Sequence, residues 1–307
     1  MPRPRICVVG ASNYDLISYV PRLPKLGETL HGSRFQMSFG GKGANQAVMA
    51  ARLGAQVSMV TKLGEDVFAA DIRENYQRWG IDTTYVLSTS RAATGVAPIA
   101  VDSAGNNAII IVMGANDLLS AAEIAAARQA ISAAQVLVVQ LEIPLETTLA
   151  AMRIAREAGV TILCNPAPAG ADLPDELFAL SDILCPNEPE TELMTSTTVG
   201  TLAAAEDAAR MLLDRGASRV ILTLGERGSL LVTPEESRHV RAPRVQAVDT
   251  TGAGDAFVGS LAYFLAAGKD MVTAMQRANQ IAALSVQKRG TQSSFPTAAD
   301  LPASLLL

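Results

Sequence analysis

Short runs rich in β-branched residues, at 5–9, 57–61, 136–141, 160–163, 182–185 and 219–224, alternate along this chain with segments of helical periodicity at 44–53, 67–79, 121–133, 145–158, 202–215, 256–267 and 271–286. That alternation constrains the fold more than any other feature. A parallel strand needs a long crossover back to the same edge, usually a helix, and a strand covered on both faces reads as a nearly continuous apolar run. The pattern predicts an α/β fold of three layers: a mostly parallel central sheet with helices on both faces. Local signals agree. Ser120 with Glu123 has capping-box spacing, and Gly54, Gly80, Gly159, Gly216 and Gly268 stand where helices should stop.

Two regions, about 14–39 and 95–112, break the alternation and read as β-rich, the second with a turn at 102–107. They predict a small β-sheet outside the main one, placed as a lid over the carboxyl ends of the parallel strands, where open α/β sheets bind ligands. With no repeat or low-complexity linker, residues 1–307 are expected to form a single domain. The chain is 49% hydrophobic and carries a formal net charge of −5 without a basic run, which argues against nucleic acid as a partner. The apolar stretch 6–9 is too short for a membrane span or a secretory signal, so a cytoplasmic protein is expected. Cys7, Cys164 and Cys185 are far apart in apolar runs, and His31 and His239 have no ligand-spaced neighbours, so neither disulfides nor a transition-metal site is supported.

The chemistry is most concentrated in Val248-Asp249-Thr250-Thr251-Gly252-Ala253-Gly254-Asp255-Ala256-Phe257. Small residues let the backbone of Gly252, Ala253 and Gly254 approach a ligand closely, and the N–H groups of a helix start suit the charge on a transferring phosphoryl group. Asp255 beside them can take the proton of an attacking hydroxyl. Ordinary helix capping explains the same ten residues about as well, so other segments must decide.

Phe39-Gly40-Gly41-Lys42-Gly43-Ala44-Asn45-Gln46 puts three glycines ahead of a helix, but it lacks the Gly-Lys-Ser/Thr of a Walker A loop. Polyol recognition, with Gly41 and Gly43 offering backbone and Lys42 and Asn45 side chains, is the alternative. Asn13 and Asp15 follow the first strand and alternation aims them alike, so they can clamp vicinal hydroxyls; Glu142 closes another strand in the same layer. Asn187 and Glu190 follow a further strand end, suited to phosphates or a hydrated Mg²⁺, although Asn187 also fits a helix N-cap. Thr223, Gly225, Glu226 and Gly228 form a turn against which a nucleotide can lie. Each is ambiguous singly, yet all follow strands.

Assembled, these residues resemble the ribokinase-like family of sugar kinases over 8 to about 296. The likeness is carried by Asn13-Tyr14-Asp15, 24–29, Gly40 through Ala47, Gln140-Leu141-Glu142, Asn165-Pro166-Ala167-Pro168, Pro186-Asn187-Glu188 and 249–257. The resemblance implies ATP-dependent phosphorylation of D-ribose at the 5-hydroxyl, with Asp255 as general base and 252–254 as anion hole. It further implies ribose contacts at Asn13, Asp15, Gly41, Lys42, Gly43, Asn45 and Glu142, and nucleotide contacts at Asn187, Thr223, Gly225, Glu226, Gly228, Gly254 and Asn279. Glu190 would stand near hydrated Mg²⁺, and a K⁺ activator near Asp249, Thr251, Ser285, Lys288, Gly290 and Ser294. A homodimer paired through the lid is also implied. The same chemistry on deoxyribose, a ketohexose or a nucleoside remains open, with Met37, Phe39 and the 95–112 hairpin expected to shape the acceptor pocket. An inactive sugar-binding regulator is disfavoured by Asp255 and the intact 252–254 run. A dinucleotide oxidoreductase would need G-x-G-x-x-G after the first strand, which Gly10-Ala11-Ser12-Asn13 does not supply.

Overall fold

A computed structural model describes residues 3–306; Met1, Pro2 and Leu307 of the expected 1–307 domain lie outside the described residues. The main sheet contains β1 (Arg5–Val9), β4 (Gln56–Leu63), β5 (Asp82–Ser88), β8 (Val136–Val139), β9 (Thr161–Cys164), β10 (Ile183–Leu184), β11 (Val220–Thr223), β12 (Ser229–Val232) and β13 (Ser237–Val240). Its order is β13-β12-β11-β10-β9-β8-β1-β4-β5. From β5 to β11 every neighbouring pair is parallel, and only the β11-β12-β13 edge is antiparallel. A second sheet, ordered β3-β2-β6-β7, is built from β2 (Asn13–Tyr19), β3 (Arg34–Gly40), β6 (Gly95–Val101) and β7 (Asn107–Ile109), with β2 and β6 parallel.

The α-helices are α1 (Lys42–Arg52), α2 (Val67–Arg78), α3 (Ala121–Ala126), α4 (Arg128–Ala133), α5 (Leu145–Glu157), α6 (Asp175–Ala179), α7 (Glu188–Thr195), α8 (Leu202–Asp214), α9 (Ala253–Ala266), α10 (Met271–Ser285) and α11 (Ala303–Leu306). They cover both faces of the main sheet, and strand alternation divides the core accordingly. Ile6, Val8, Val136, Val138 and Ile221 point to the side of α1, α9 and α10. Cys7, Val9, Leu137, Val139, Val220 and Leu222 point to the side of α5 and α8. The mostly parallel three-layer sheet and the separate small sheet expected from the sequence are therefore present.

Several boundaries differ for physical reasons. The stretch 121–133 is not one helix: Ala127 and Ala130 donate to carbonyls three residues back, which tightens a turn between α3 and α4 while Ile124, Ala127 and Ile131 stay fully buried. β5 and β13 are the two edge strands of the sheet, where polar residues such as Thr83, Thr84, Ser237 and Arg238 erase the apolar signal. The capping box of Ser120 and Glu123 is formed, and all five glycines expected to stop helices adopt positive φ.

Candidate active site

Adjacent parallel strands deliver the site in spatial order. Beyond their carboxyl ends, β11, β10, β9, β8 and β1 place Thr223, Asn187, Asn165, Glu142 and Asn13 along one edge of the sheet. Opposite them, α1 and α9 begin side by side. Glycine permits this approach: a Cβ on Gly43 would lie 2.8 Å from the Gly10 carbonyl carbon, and one on Gly259 would lie 2.6 Å from the Gln46 carbonyl oxygen. The Lys42 N–H, free at the start of α1, donates to Glu142 Oε2 at 2.8 Å, so a carboxylate one hundred residues away caps this helix.

α9 opens from Gly252 in the left-handed region (φ 78°), and Asp255 is its third residue. Asp255 is only 7% exposed. Asn45 Nδ2 donates to its Oδ2 at 2.8 Å and Gln46 Nε2 to its Oδ1 at 2.9 Å. Asp255 lines a cavity of about 150 Å³ with Lys42, Asn165, Ala167, Cys185, Asn187, Glu190, Thr223, Gly252, Gly254 and Val258. A cavity of about 700 Å³ lies under the small sheet, lined by Asp15, Ile17, Tyr19, Gln36, Ser38, Ile99, Val101 and Ile109 and by Asp249, Thr251, Gly290 and Thr291.

Asp15, Glu142, Glu190 and Asp255 lie close enough for their charges to act on one another or on the Lys42 ammonium. Burial pushes Asp255 up, only partly offset by the Lys42 charge and by the Asn45 and Gln46 amides. Burial likewise raises Glu142 and Glu190 against the pull of Lys42 and backbone N–H groups. Burial disfavours the Lys42 ammonium, but the carboxylates of Asp255, Glu142 and Glu190 outweigh it and hold its pKa above the usual value. Asp15 is pushed up to about 7 by burial and by the charges of Glu142 and Asp255. The unfolded chain releases this proton near about 4. Between those values the folded state holds more protons, so Asp15 makes stability fall as pH rises through that window and has no further effect above it. Asp15→Asn is thus expected to raise folding stability at pH 8 by an amount on the order of a few kcal/mol, seen as a higher Tm, and to change it little at pH 4. Equal shifts at both pH values would remove this electrostatic account.

The remaining sequence-predicted residues fall into three groups. Asn13 is buried, its Oδ1 accepting from Asn116 Nδ2 at 2.8 Å. Asn187 and Glu190 form a reciprocal capping box at the start of α7, which fixes them at the small cavity and leaves one Glu190 oxygen free of that cap. Gly41 adopts φ 86° where the chain enters α1. The 249–251 and 285–294 segments are laced together: Val248 N–H and Asp249 N–H donate to the Val286 carbonyl, while Asp249 accepts from Thr251 N–H and Gly290 N–H. Ser285 and Ser294 are buried there with hydroxyls donating to backbone carbonyls, and Lys288 is exposed.

The third group is not gathered at the two cavities. A Cβ on Gly228 would strike the Val240 carbonyl oxygen at 2.1 Å and its φ is 98°, so strand packing and backbone conformation both call for glycine there; Gly225 faces open space and Glu226 is exposed. The Asn279 amide nitrogen is committed to Ser229 Oγ and the Val240 carbonyl. Met37 and Phe39 occupy the face of β3 opposite Gln36 and Ser38, with Phe39 edge-on to Tyr14 at 5.5 Å, so they do not shape the larger cavity; Gln36, Ser38 and Ile99 do. Sequence reasoning missed Gln46 and Gln292, whose amides reach Asp255 and Asn45. Only the helical spacing of Gln46 beside Asn45 offered a signal.

An arrangement of this kind can take a hydroxyl proton on Asp255 while backbone N–H groups at the start of α9 hold an anion. Residues 3–298 match the family described as pfkB family carbohydrate kinase. A ribokinase of Mus musculus is 46% identical over 98% of this chain and 94% of its own length. A deoxyribokinase of Salmonella typhi is 44% identical over 95% of each. The solved structure of Arabidopsis thaliana ribokinase complexed with ribose and ATP matches with a TM-score of 0.91 at 32% identity, covering 99% of both chains.

Proposed function

Because this chain belongs to the pfkB family of carbohydrate kinases, we propose that it transfers the γ-phosphoryl group of ATP to the 5-hydroxyl of D-ribose, giving ribose 5-phosphate and ADP. The observation that carries the chemistry is Asp255: buried, raised in pKa, and set in the first turn of α9 beside N–H groups with no helical partner.

Asp255 accepts the 5-hydroxyl proton as that oxygen attacks phosphorus. Ala253, Gly254 and Gly252 present backbone to the charge that spreads over the phosphoryl oxygens, and Lys42 adds its ammonium in a site where water is scarce. Asn13, Asp15, Gly41, Gly43, Asn45 and Glu142 hold the sugar by hydroxyl contacts, and Asn187 and Thr223 flank the nucleotide with the 225–228 turn. Asn279 supports that turn from behind, through Ser229 and Val240, rather than touching the nucleotide.

The oxygen-rich pair of Glu190 and Asn187, set together at the start of α7, fits a hydrated Mg²⁺ that would arrive with the phosphates and neutralise their charge, leaving Asp255 as the base. Among the described residues no group of three His, Cys, Asp or Glu is placed to hold a metal alone. The laced segments carrying Asp249, Thr251, Ser285, Lys288, Gly290 and Ser294 supply a carboxylate and backbone carbonyls, a donor set for K⁺ that would stiffen the loop before Gly252. Turnover should accordingly be higher in KCl than in a tetramethylammonium salt of equal ionic strength, and equal rates would remove the cation.

The small sheet acts as a lid on a single α/β unit. Phe35, Met37 and Ile109 through Val112 are each about half exposed or more, an apolar surface suited to pairing two lids in a homodimer. With ATP as donor, the enzyme belongs in the cytoplasm.

The similarity to a deoxyribokinase keeps deoxyribose as a second acceptor reading. An ADP-release panel of ribose, deoxyribose, fructose and nucleosides separates them. The highest kcat/KM is expected for ribose; a higher value for another sugar reassigns the acceptor, and no ADP release with any of them defeats the kinase reading.

A further inference from the structure

Asp255 is the meeting point of two chains of buried amides. On one side Asn75 Nδ2 donates to Gln292 Oε1 at 2.9 Å, Gln292 Nε2 donates to Asn45 Oδ1 at 3.0 Å, and Asn45 Nδ2 donates to Asp255 Oδ2 at 2.8 Å. On the other, Gln140 Nε2 donates to Gln46 Oε1 at 2.6 Å and Gln46 Nε2 donates to Asp255 Oδ1. Gln46 Nε2 also donates to Asn165 Oδ1 at 3.0 Å, and Asn165 Nδ2 is held by the Cys185 carbonyl. All six amide side chains are at most 8% exposed.

The direction of every bond is forced. An ionised carboxylate only accepts, so Asn45 and Gln46 must turn nitrogen toward it and oxygen away. Asn45 Oδ1 then needs a donor, which among the described residues the nitrogen of Gln292 supplies, and Gln292 Oε1 in turn needs Asn75. Gln140 keeps this polarity although its own Oε1 is buried without a partner. Gln292 also lies two residues beyond Gly290, whose N–H binds Asp249, so the segment tied to the loop before Gly252 is tied to Asp255 as well.

We propose that Gln292 is a positioning residue for the phosphoryl transfer: through Asn45 it decides which atoms face Asp255 and thereby sets the orientation and proton affinity of that carboxylate. This rests on the reading of Asp255 as general base. Gln292 does not act on the substrate itself.

The test compares Gln292→Glu with Gln292→Met. An ionised carboxylate in place of the Gln292 amide cannot donate, so Asn45 turns its nitrogen to the new carboxylate and its oxygen to Asp255, setting two acceptors face to face. The expected result is a kcat loss of about tenfold or more, an acid limb of the kcat profile displaced to higher pH, and an unchanged KM for ATP. Gln292→Met has no polarity to impose and should lose less, with the limb near its normal place. A packing role predicts the opposite order, since Glu matches Gln in shape. Asn75→Asp, two side chains from the base, reverses the same polarity and carries the test if either Gln292 variant fails to fold. Equal losses in the Gln292→Glu and Gln292→Met variants with an unmoved limb overturn the relay. Asp255→Asn measured alongside separates the two ideas: full activity there removes the base and the relay together, whereas its inactivity beside indistinguishable Gln292 variants removes only the relay.

Discussion

Replacing Asp255 with Asn is expected to lower kcat about 10²-fold or more while ribose and ATP still bind. Asn keeps the shape and one acceptor, so either the Asn45 or the Gln46 bond survives and the start of α9 is undisturbed. What disappears is the basic oxygen. Stability should not fall with activity, because burial is what pushes this carboxylate up, and a neutral amide escapes that penalty. Single-turnover rates alongside equilibrium titration with ribose separate the two effects. Near-normal single-turnover rates would contradict the base assignment even if steady-state rates changed.

Lys42→Met is expected to have the second-largest effect, a loss of about 10-fold to 10²-fold in kcat at pH 7, with the acid limb of the profile moved upward. Lys42 is the cation whose charge lowers the pKa of Asp255, Glu142 and Glu190, all of which burial pushes the other way. Without it these groups keep their protons to higher pH, and a protonated Asp255 cannot accept another. The Met stem preserves the packing of the lysine methylenes. Raising the pH should therefore restore part of the lost rate. A loss independent of pH would mean that Lys42 acts only by touching ligand.

The fold was legible where strands are central and helices amphipathic. β1, whose range was read without error, and β8 pair with each other in mid-sheet, and their continuous apolar runs follow from cover on both faces. β13 was not read, because a four-residue edge strand such as Ser-Arg-His-Val carries no apolar period, and β12, an interior strand of only four residues, follows too closely on the turn after β11 to stand out as a separate run. The site was legible wherever a functional side chain follows a strand or opens a helix, as with Asp15, Asn187 and Asp255. It was illegible where the signal is tertiary. Gln292 reaches Asn45 across 247 positions and Glu142 caps α1 across 100, and no spacing rule anticipates such contacts. Gly228 shows a different case: a glycine in a promising turn that the fold itself also requires, through the neighbouring strand and a φ of 98°. Met37 and Phe39 were expected at the acceptor pocket, where Gln36 and Ser38 stand instead, because the register of β3 is fixed only by its pairing with β2, where Asp15 opposes Ser38.

The central claim is that one carboxylate and the amides before it meet a sugar alcohol and a terminal phosphate at one point. A crystal structure with ribose and a non-hydrolysable ATP analogue tests it most directly. The account predicts the ribose 5-oxygen within about 2.6–3.2 Å of an Asp255 oxygen, and the γ-phosphate over the N–H groups of Ala253 and Gly254. A ribose bound with its 5-hydroxyl turned away from Asp255, or a γ-phosphate held elsewhere than at the start of α9, would contradict it.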